Sequence, residues 1–221
     1  MNKVLDIPVH KQPEESFTCS LACLEMIMDY YGDHVLHKRL VDDLKEWINE
    51  DEVHLEGVGL YLVKRGYNVH FIHHSPGVIT TQLDNITEKD KVALREALDQ
   101  APDHDKAQFY RRKLSLGIDY IESGGQYSTT IPTLKLLDNN IENDILTMIC
   151  VSNDTWVSDP KVSSNHYVVV RGKKSNKYVV NDPGSGREDT YYIDADRLLM
   201  AWYRTGAYTL YTSGKKKNPA S

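Results

Sequence analysis

Cysteine is scarce in this chain: three residues in 221, too few and too scattered for a disulfide scaffold. Free thiols in a reducing, cytoplasmic compartment are expected. Long apolar runs are missing as well. None approaches the roughly 20 residues that a membrane helix needs, so no membrane partner is expected. Met1 to Gln12 has neither the apolar stretch nor the small-residue cleavage site of a signal peptide. Nor is there an excess of positive charge. The 26 Lys and Arg stand against 32 Asp and Glu, a formal net charge of -6, which excludes a general affinity for nucleic acid. Lys215, Lys216 and Lys217 do cluster, but Asn218-Pro219 follows them. They read as part of a solvated, frayed tail over 214–221. No internal repeat and no interdomain linker is visible. What remains is 40% hydrophobic and 26% charged, ordinary for one globular domain, here 1–213, with a full-sized core.

Helices come first. Gln12-Pro13 ends an extended start, because helix is disfavoured just before proline. Thr18 is an N-cap candidate, and Leu21, Leu24, Ile27 and Met28 recur at helical spacing until Gly32. A second helix is expected over 36–48 and a third over 58–64. Tyr67 to Ile72 alternates like a strand. The stretch from about Thr87 to Ile121 is rich in Glu, Lys, Asp, Arg and Ala, with a break near Pro102. Two solvated amphipathic helices are expected there, an insertion or lid leaning on the core through Val92, Leu98, Phe109, Leu114 and Ile118. After a short helix at 133–137, strands take over. Ile145 to Val151 is an apolar run suited to a buried strand. His166 to Arg171 and Lys177 to Asn181 are expected to form a hairpin around a loop at 172–176. A short strand at 191–193, a helix from Asp194 to Trp202 and a last strand at 208–211 complete an α+β pattern, helices packed on an antiparallel sheet.

Cys19 falls in the first turn of the first strong helix. Free amides and the positive end of the helix dipole stabilise a thiolate there, and the thiolate is the reactive form. The competing reading is a small buried hydrophobe. Cys23 lies one turn further in, where its amide is already paired, and reads as core. Cys150 sits in the apolar strand and reads as inert. Cys19 and Cys23 have no second Cys or His pair at ligand spacing, so no metal site is expected. A hairpin centred near Lys174 would pair Val170 with Tyr178, Val168 with Val180 and His166 with Asp182. Side chains two apart share a face, so His166 and Asp182 would meet at its open end. A carboxylate beside an imidazole fixes its tautomer and steadies the cation. A slip of one residue would part them. Gln12, seven residues before Cys19, carries an amide suited to stabilising an oxyanion.

Taken together, these residues are more specific than any one of them. Gln12 ahead of Thr18-Cys19-Ser20-Leu21-Ala22-Cys23-Leu24-Glu25-Met26-Ile27, then Tyr30-Tyr31-Gly32, resembles the opening of the double-glycine leader peptidases. These are papain-like domains that trim bacteriocin precursors, with stand-alone relatives. Asn165-His166-Tyr167-Val168-Val169-Val170 and Asn181-Asp182-Pro183 are similar to that family's His strand and Asp-Pro turn. The resemblance covers roughly 8–72 and 145–185 and leaves out the helical stretch after Thr87. It implies a papain-like fold, with Cys19 as nucleophile, His166 as base, Asp182 as orienting acid and Gln12 as oxyanion donor. It also implies a peptide or protein substrate and no metal or organic cofactor. Thr18-Cys19-Ser20 departs from the family's acidic-Cys-Gly step, and a stand-alone relative without a transporter is expected. Papain-like folds also host acyltransferases, transglutaminase-like enzymes and deamidases. An inactive peptide-binding module is the remaining alternative.

Overall fold

The computed structural model describes residues 2–14, 16–48, 53–72, 105–128, 130–157 and 164–216, with single helical positions at 92, 95, 96 and 99. Side chains at 105–110 lie outside that description. Among the described residues eight strands form one sheet: β1 (Lys3–Val4), β2 (Tyr67–Ile72), β3 (Gln126–Ser128), β4 (Leu146–Ser152), β5 (Asn165–Lys174), β6 (Lys177–Asn181), β7 (Thr190–Asp194) and β8 (Thr209–Lys215). Their order is β3-β2-β8-β4-β5-β6-β7, with β1 paired to β5. The sheet is antiparallel as expected, except that β2 and β3 run parallel. A helix connects those two, and a crossover helix permits parallel pairing.

The strand alternation sorts side chains to two cores. Leu146, Met148 and Cys150 of β4 join one core, with Tyr167 and Val169 of β5. Ile149 and Val151 join the other, with Val168, Val170 and Val180. The first core is covered by α1 (Cys19–Tyr30), α2 (His37–Leu44), α3 (Leu55–Lys64) and α4 (Asp105–Glu122). The second involves α5 (Leu134–Glu142), α6 (Asn153–Trp156) and α7 (Ala195–Tyr203), with Trp156 and Trp202 at its centre. Helix α1 is not merely amphipathic. Every residue from Ser20 to Met28 is buried, which suits a segment apolar nearly all round. It packs against β5, α2 and α3, which fixes the place of its first residue.

Two expectations are corrected. The first of the two helices expected over 87–121 lies mostly outside the described residues, and the second, α4, is not simply a solvated insertion. Val92 is 50% exposed, and Leu98 and the Phe109 side chain lie outside the described residues. Leu114 and Ile118 are buried as expected, but so are Leu116, Tyr120 and Ile121, all within the first core. The reason is visible at Tyr120. Its ring lies against Gly59 and Gly125, where an added Cβ would come within 3.0 and 2.3 Å. Its hydroxyl lies 2.9 Å from Val69 O and 2.8 Å from Gln126 O. The second correction concerns the tail. Strand β8 continues to Lys215, whose ammonium meets Asp33 at 2.7 Å, and Lys216 N donates to Gly66 O at 2.9 Å. Residues 214–216 therefore belong to the fold, and 217–221 lie outside the described residues.

Candidate functional site

Cys19 is the first residue of α1. Thr18 stands at the N-cap, but its hydroxyl does not cap the helix. That oxygen lies 3.0 Å from His37 Nε2 and 2.9 Å from Ser16 Oγ. The first bonds inside the helix run from Leu21 N and Ala22 N to Thr18 O. The amides of Cys19 and Ser20 precede that ladder and have no acceptor within the helix. A thiolate at Cys19 thus meets the positive end of α1. Cys23 is buried one turn further along, and burial first, then its neighbours Cys19 and Asp182, pushes its thiol well above the usual range. Cys150 is also buried. Among the described residues no group of three His, Cys, Asp or Glu side chains is placed to hold a metal ion.

The hairpin brings His166 and Asp182 together by a different register from the expected one. The turn is only Ser175-Asn176, both at positive φ (48° and 66°), closed by Lys174 opposite Lys177. Two residues with positive φ match the twist of the flanking strands. A bulge near Arg171 then shifts the pairing, and Val170 lies opposite Val180, not Tyr178. The slip relative to the expectation is two residues, an even number, so each side chain keeps its face. His166 and Asp182 are diagonal neighbours instead of an opposed pair. Their side chains close the gap: His166 Nε2 and Asp182 Oδ1 are 2.7 Å apart and buried.

Asp182 is wholly buried, and its other contacts were not foreseen from the sequence. Gly184 N donates to Oδ1 at 2.7 Å, and Trp156 Nε1 donates to Oδ2 at 2.8 Å. Arg187 Nη1 stands 3.6 Å from Oδ2 and donates to Asn153 Oδ1 at 2.9 Å. Burial alone would raise the Asp182 pKa. The bond and charge of His166, with the Gly184 and Trp156 donors, overcome it and hold the carboxyl at about 2. Burial likewise disfavours the His166 cation. Hydrogen bonds to Asp182 and Cys19 and the charges of both raise it to about 9 nonetheless. With Nε2 committed to Asp182, Nδ1 is the nitrogen left for Cys19. The arrangement favours an imidazolium at His166.

Gln12 reaches the same place along the N-terminal segment. Its backbone N donates to Pro183 O at 2.8 Å, and its side-chain Nε2 donates to Ser16 O at 2.8 Å. One of its two amide hydrogens is therefore already engaged. Gln12, Phe17, Cys19, Asn165, His166 and Arg187 all line one cleft of about 660 Å³. Trp156 and Arg187 were missed because their partners lie far along the chain and no period links them. The lone arginine in a Gly-Ser loop just after Asn181-Asp182-Pro183 was the only available signal.

The profile of the Peptidase_C39-like family matches residues 4–210. No curated protein sequence matches the chain. Among solved structures, a protein from Bacillus anthracis described as a C39-like peptidase aligns at 13% identity. The alignment covers 98% of this chain and 100% of that one, with a TM-score of 0.50, a likeness of fold. The peptidase domain of Streptococcus ComA, a bi-functional ABC transporter involved in a quorum-sensing pathway, aligns at 14% identity over 98% of this chain and 100% of its own, with a TM-score of 0.48. A double-glycine-motif protease from an AMS/PCAT transporter, solved with its leader peptide, aligns at 15% identity over 95% and 94%, with a TM-score of 0.48.

Proposed function

Because the chain belongs to the Peptidase_C39-like family, a family of cysteine peptidases, we propose that it cleaves a peptide or protein substrate with Cys19 as nucleophile. One observation carries this reading: His166, held 2.7 Å from the buried Asp182, lines the same cleft as a cysteine at a helix N-terminus. His166 holds the proton and Cys19 the negative charge. Cys19 Sγ attacks the substrate carbonyl carbon, and the carbonyl oxygen takes the displaced electron pair. The Cys19 amide and the second amide hydrogen of Gln12 receive that oxyanion. The C–N bond then breaks as His166 gives its proton to the departing amine. Water attacks the thioester, returns a proton to His166 and releases the acid. Asp182 keeps the imidazole oriented throughout.

The test is a thiol-reactive probe read by mass spectrometry, followed by turnover of a labelled peptide. Cys19 is expected to be the fast-alkylating thiol near neutral pH, and Cys19→Ala should abolish cleavage while leaving the fold intact. Labelling at Cys23 with Cys19 untouched would overturn the assignment. An amide adduct in place of the acid, formed when an amine is added, would make the enzyme an acyltransferase acting through the same cysteine.

A further inference from the structure

Lys11 is not used by the mechanism above, yet its ammonium is the most heavily ligated cation beside the site. Nζ lies 3.0 Å from Asp182 O, 3.2 Å from Gly184 O, 3.1 Å from Arg187 O and 3.2 Å from Glu188 O. Asp189 Oδ1 completes the shell at 3.1 Å. Five oxygens surround three N–H groups, four of them backbone carbonyls of one loop. An exposed Lys–Asp pair would need only the carboxylate, and Asp189 is itself largely exposed. Here four carbonyls converge on one ammonium, and inward carbonyls without a partner are costly.

The loop so filled is the one that carries the site. Its first residue is Asp182, whose carboxylate holds His166, and it includes Gly184 and Arg187, which touch or flank that carboxylate. The residue after Lys11 is Gln12, and its N–H donates to Pro183 O in the same loop at 2.8 Å. Two consecutive residues of the N-terminal segment therefore clip the 182–189 loop, one by charge and one by a backbone bond.

We infer that Lys11 is a positioning residue for the reaction, a tethered cation that sets the 182–189 loop and with it Asp182 and Gln12. This assignment rests on the reading of Cys19, His166 and Asp182 as the reacting site. Removing the ammonium leaves a ring of carbonyls with the chemistry of a site for a small monovalent cation.

The experiment compares the full-length chain with Lys11→Ala by the rate of Cys19 alkylation across pH and by kcat and KM on a peptide. The pH profile reports on His166, which Asp182 and Cys19 face, with Arg187 behind Asp182. Lys11→Ala is expected to lower kcat roughly 10-fold to 100-fold, as a small misplacement of reacting groups does, with KM little changed. The alkaline limb of the alkylation profile should move to lower pH. Added ammonium or potassium should restore part of the rate, and tetramethylammonium, too large for the ring, should not. A lowered Tm with an unchanged alkylation profile would show a merely structural lysine and overturn the assignment. Equal restoration by tetramethylammonium would overturn it too. If Lys11→Ala fails to fold, Lys11→Gln, neutral but still a donor, is read in the same way: a shifted profile supports the assignment and an unshifted one overturns it. Alkylation needs no substrate, so the two readings fail separately. A reactive Cys19 unaffected by either variant sinks Lys11 alone. An inert Cys19 in the unaltered chain sinks the peptidase reading and Lys11 with it.

Discussion

At Asp182, desolvation and hydrogen bonding pull in opposite directions, and hydrogen bonding wins. The carboxyl sits at about 2 and its partner His166 at about 9. The depressed carboxyl contributes stability that is complete above its unfolded pKa of roughly 4 and lost as pH falls through 2. The raised imidazole contributes stability that is complete below its unfolded pKa of roughly 6.5 and lost as pH rises through 9. Asp182→Asn removes the charge that favours the imidazolium. An opposite charge at this range is worth roughly 1–3 pKa units, so the alkaline limb of Cys19 alkylation should move down by about that much. Asp182→Asn should also retain more turnover than His166→Ala, because an amide can still orient the ring. A limb that stays in place would show that Asp182 does not hold the His166 proton. The place of Cys19 at a helix start and the meeting of His166 with Asp182 are legible in the sequence because helix start and strand parity are local rules. Lys11 was not. Its partners are backbone carbonyls 171 to 177 residues away, and no composition or period encodes such a contact.

Among the elements, the hairpin shows how a shifted register can still bring His166 and Asp182 together. Neither Asn-Gly nor Asp-Gly marks its turn, so from sequence Ser175-Asn176 reads as part of a longer loop. The even slip preserved the faces. Strand β1 was not legible at all. Two residues of an extended start carry no alternation, and their place is decided by Gly172 on β5. A Cβ at Gly172 would stand 2.4 Å from Lys3 O and 2.5 Å from Val4 Cα. Gly172→Val is therefore expected to displace β1 and destabilise the fold by about 1–3 kcal/mol, the range for overpacking. Hydrogen exchange at the Leu5 amide, which donates to Arg171 O at 2.8 Å, should quicken. Turnover should fall with it, because Lys11 and Gln12 follow on the same segment. Unchanged protection at Leu5 would mean that the backbone gives elsewhere.

On the scale of the whole molecule, α4 decides where the domain ends and decoration begins. Its charge density makes it look separable from the core, and Arg112, Asp119 and Glu122 are exposed on it. Composition averages over faces, however, and Leu114, Leu116, Ile118, Tyr120 and Ile121 were diluted by their charged neighbours. Tyr120 ties α4 to α3 through Gly59 and to the β2–β3 edge through Val69 and Gln126. Without α4 the parallel strand β3 would lose its connection to β2, and one side of the first core would face water. Tyr120→Ala should cost about 3–5 kcal/mol, as truncation of a large buried aromatic does. Tyr120→Phe keeps the packing and loses only the hydroxyl, so about 0.5–1.5 kcal/mol is expected from its hydrogen bonding, more if the two carbonyls stay dry. Replacing 105–122 with a Gly-Ser linker should abolish the cooperative thermal transition. A lid would behave otherwise, since segments that gate a site belong to the less stable parts of a protein. A linker variant that melts cooperatively and keeps a reactive Cys19 would restore the view of α4 as a separable addition.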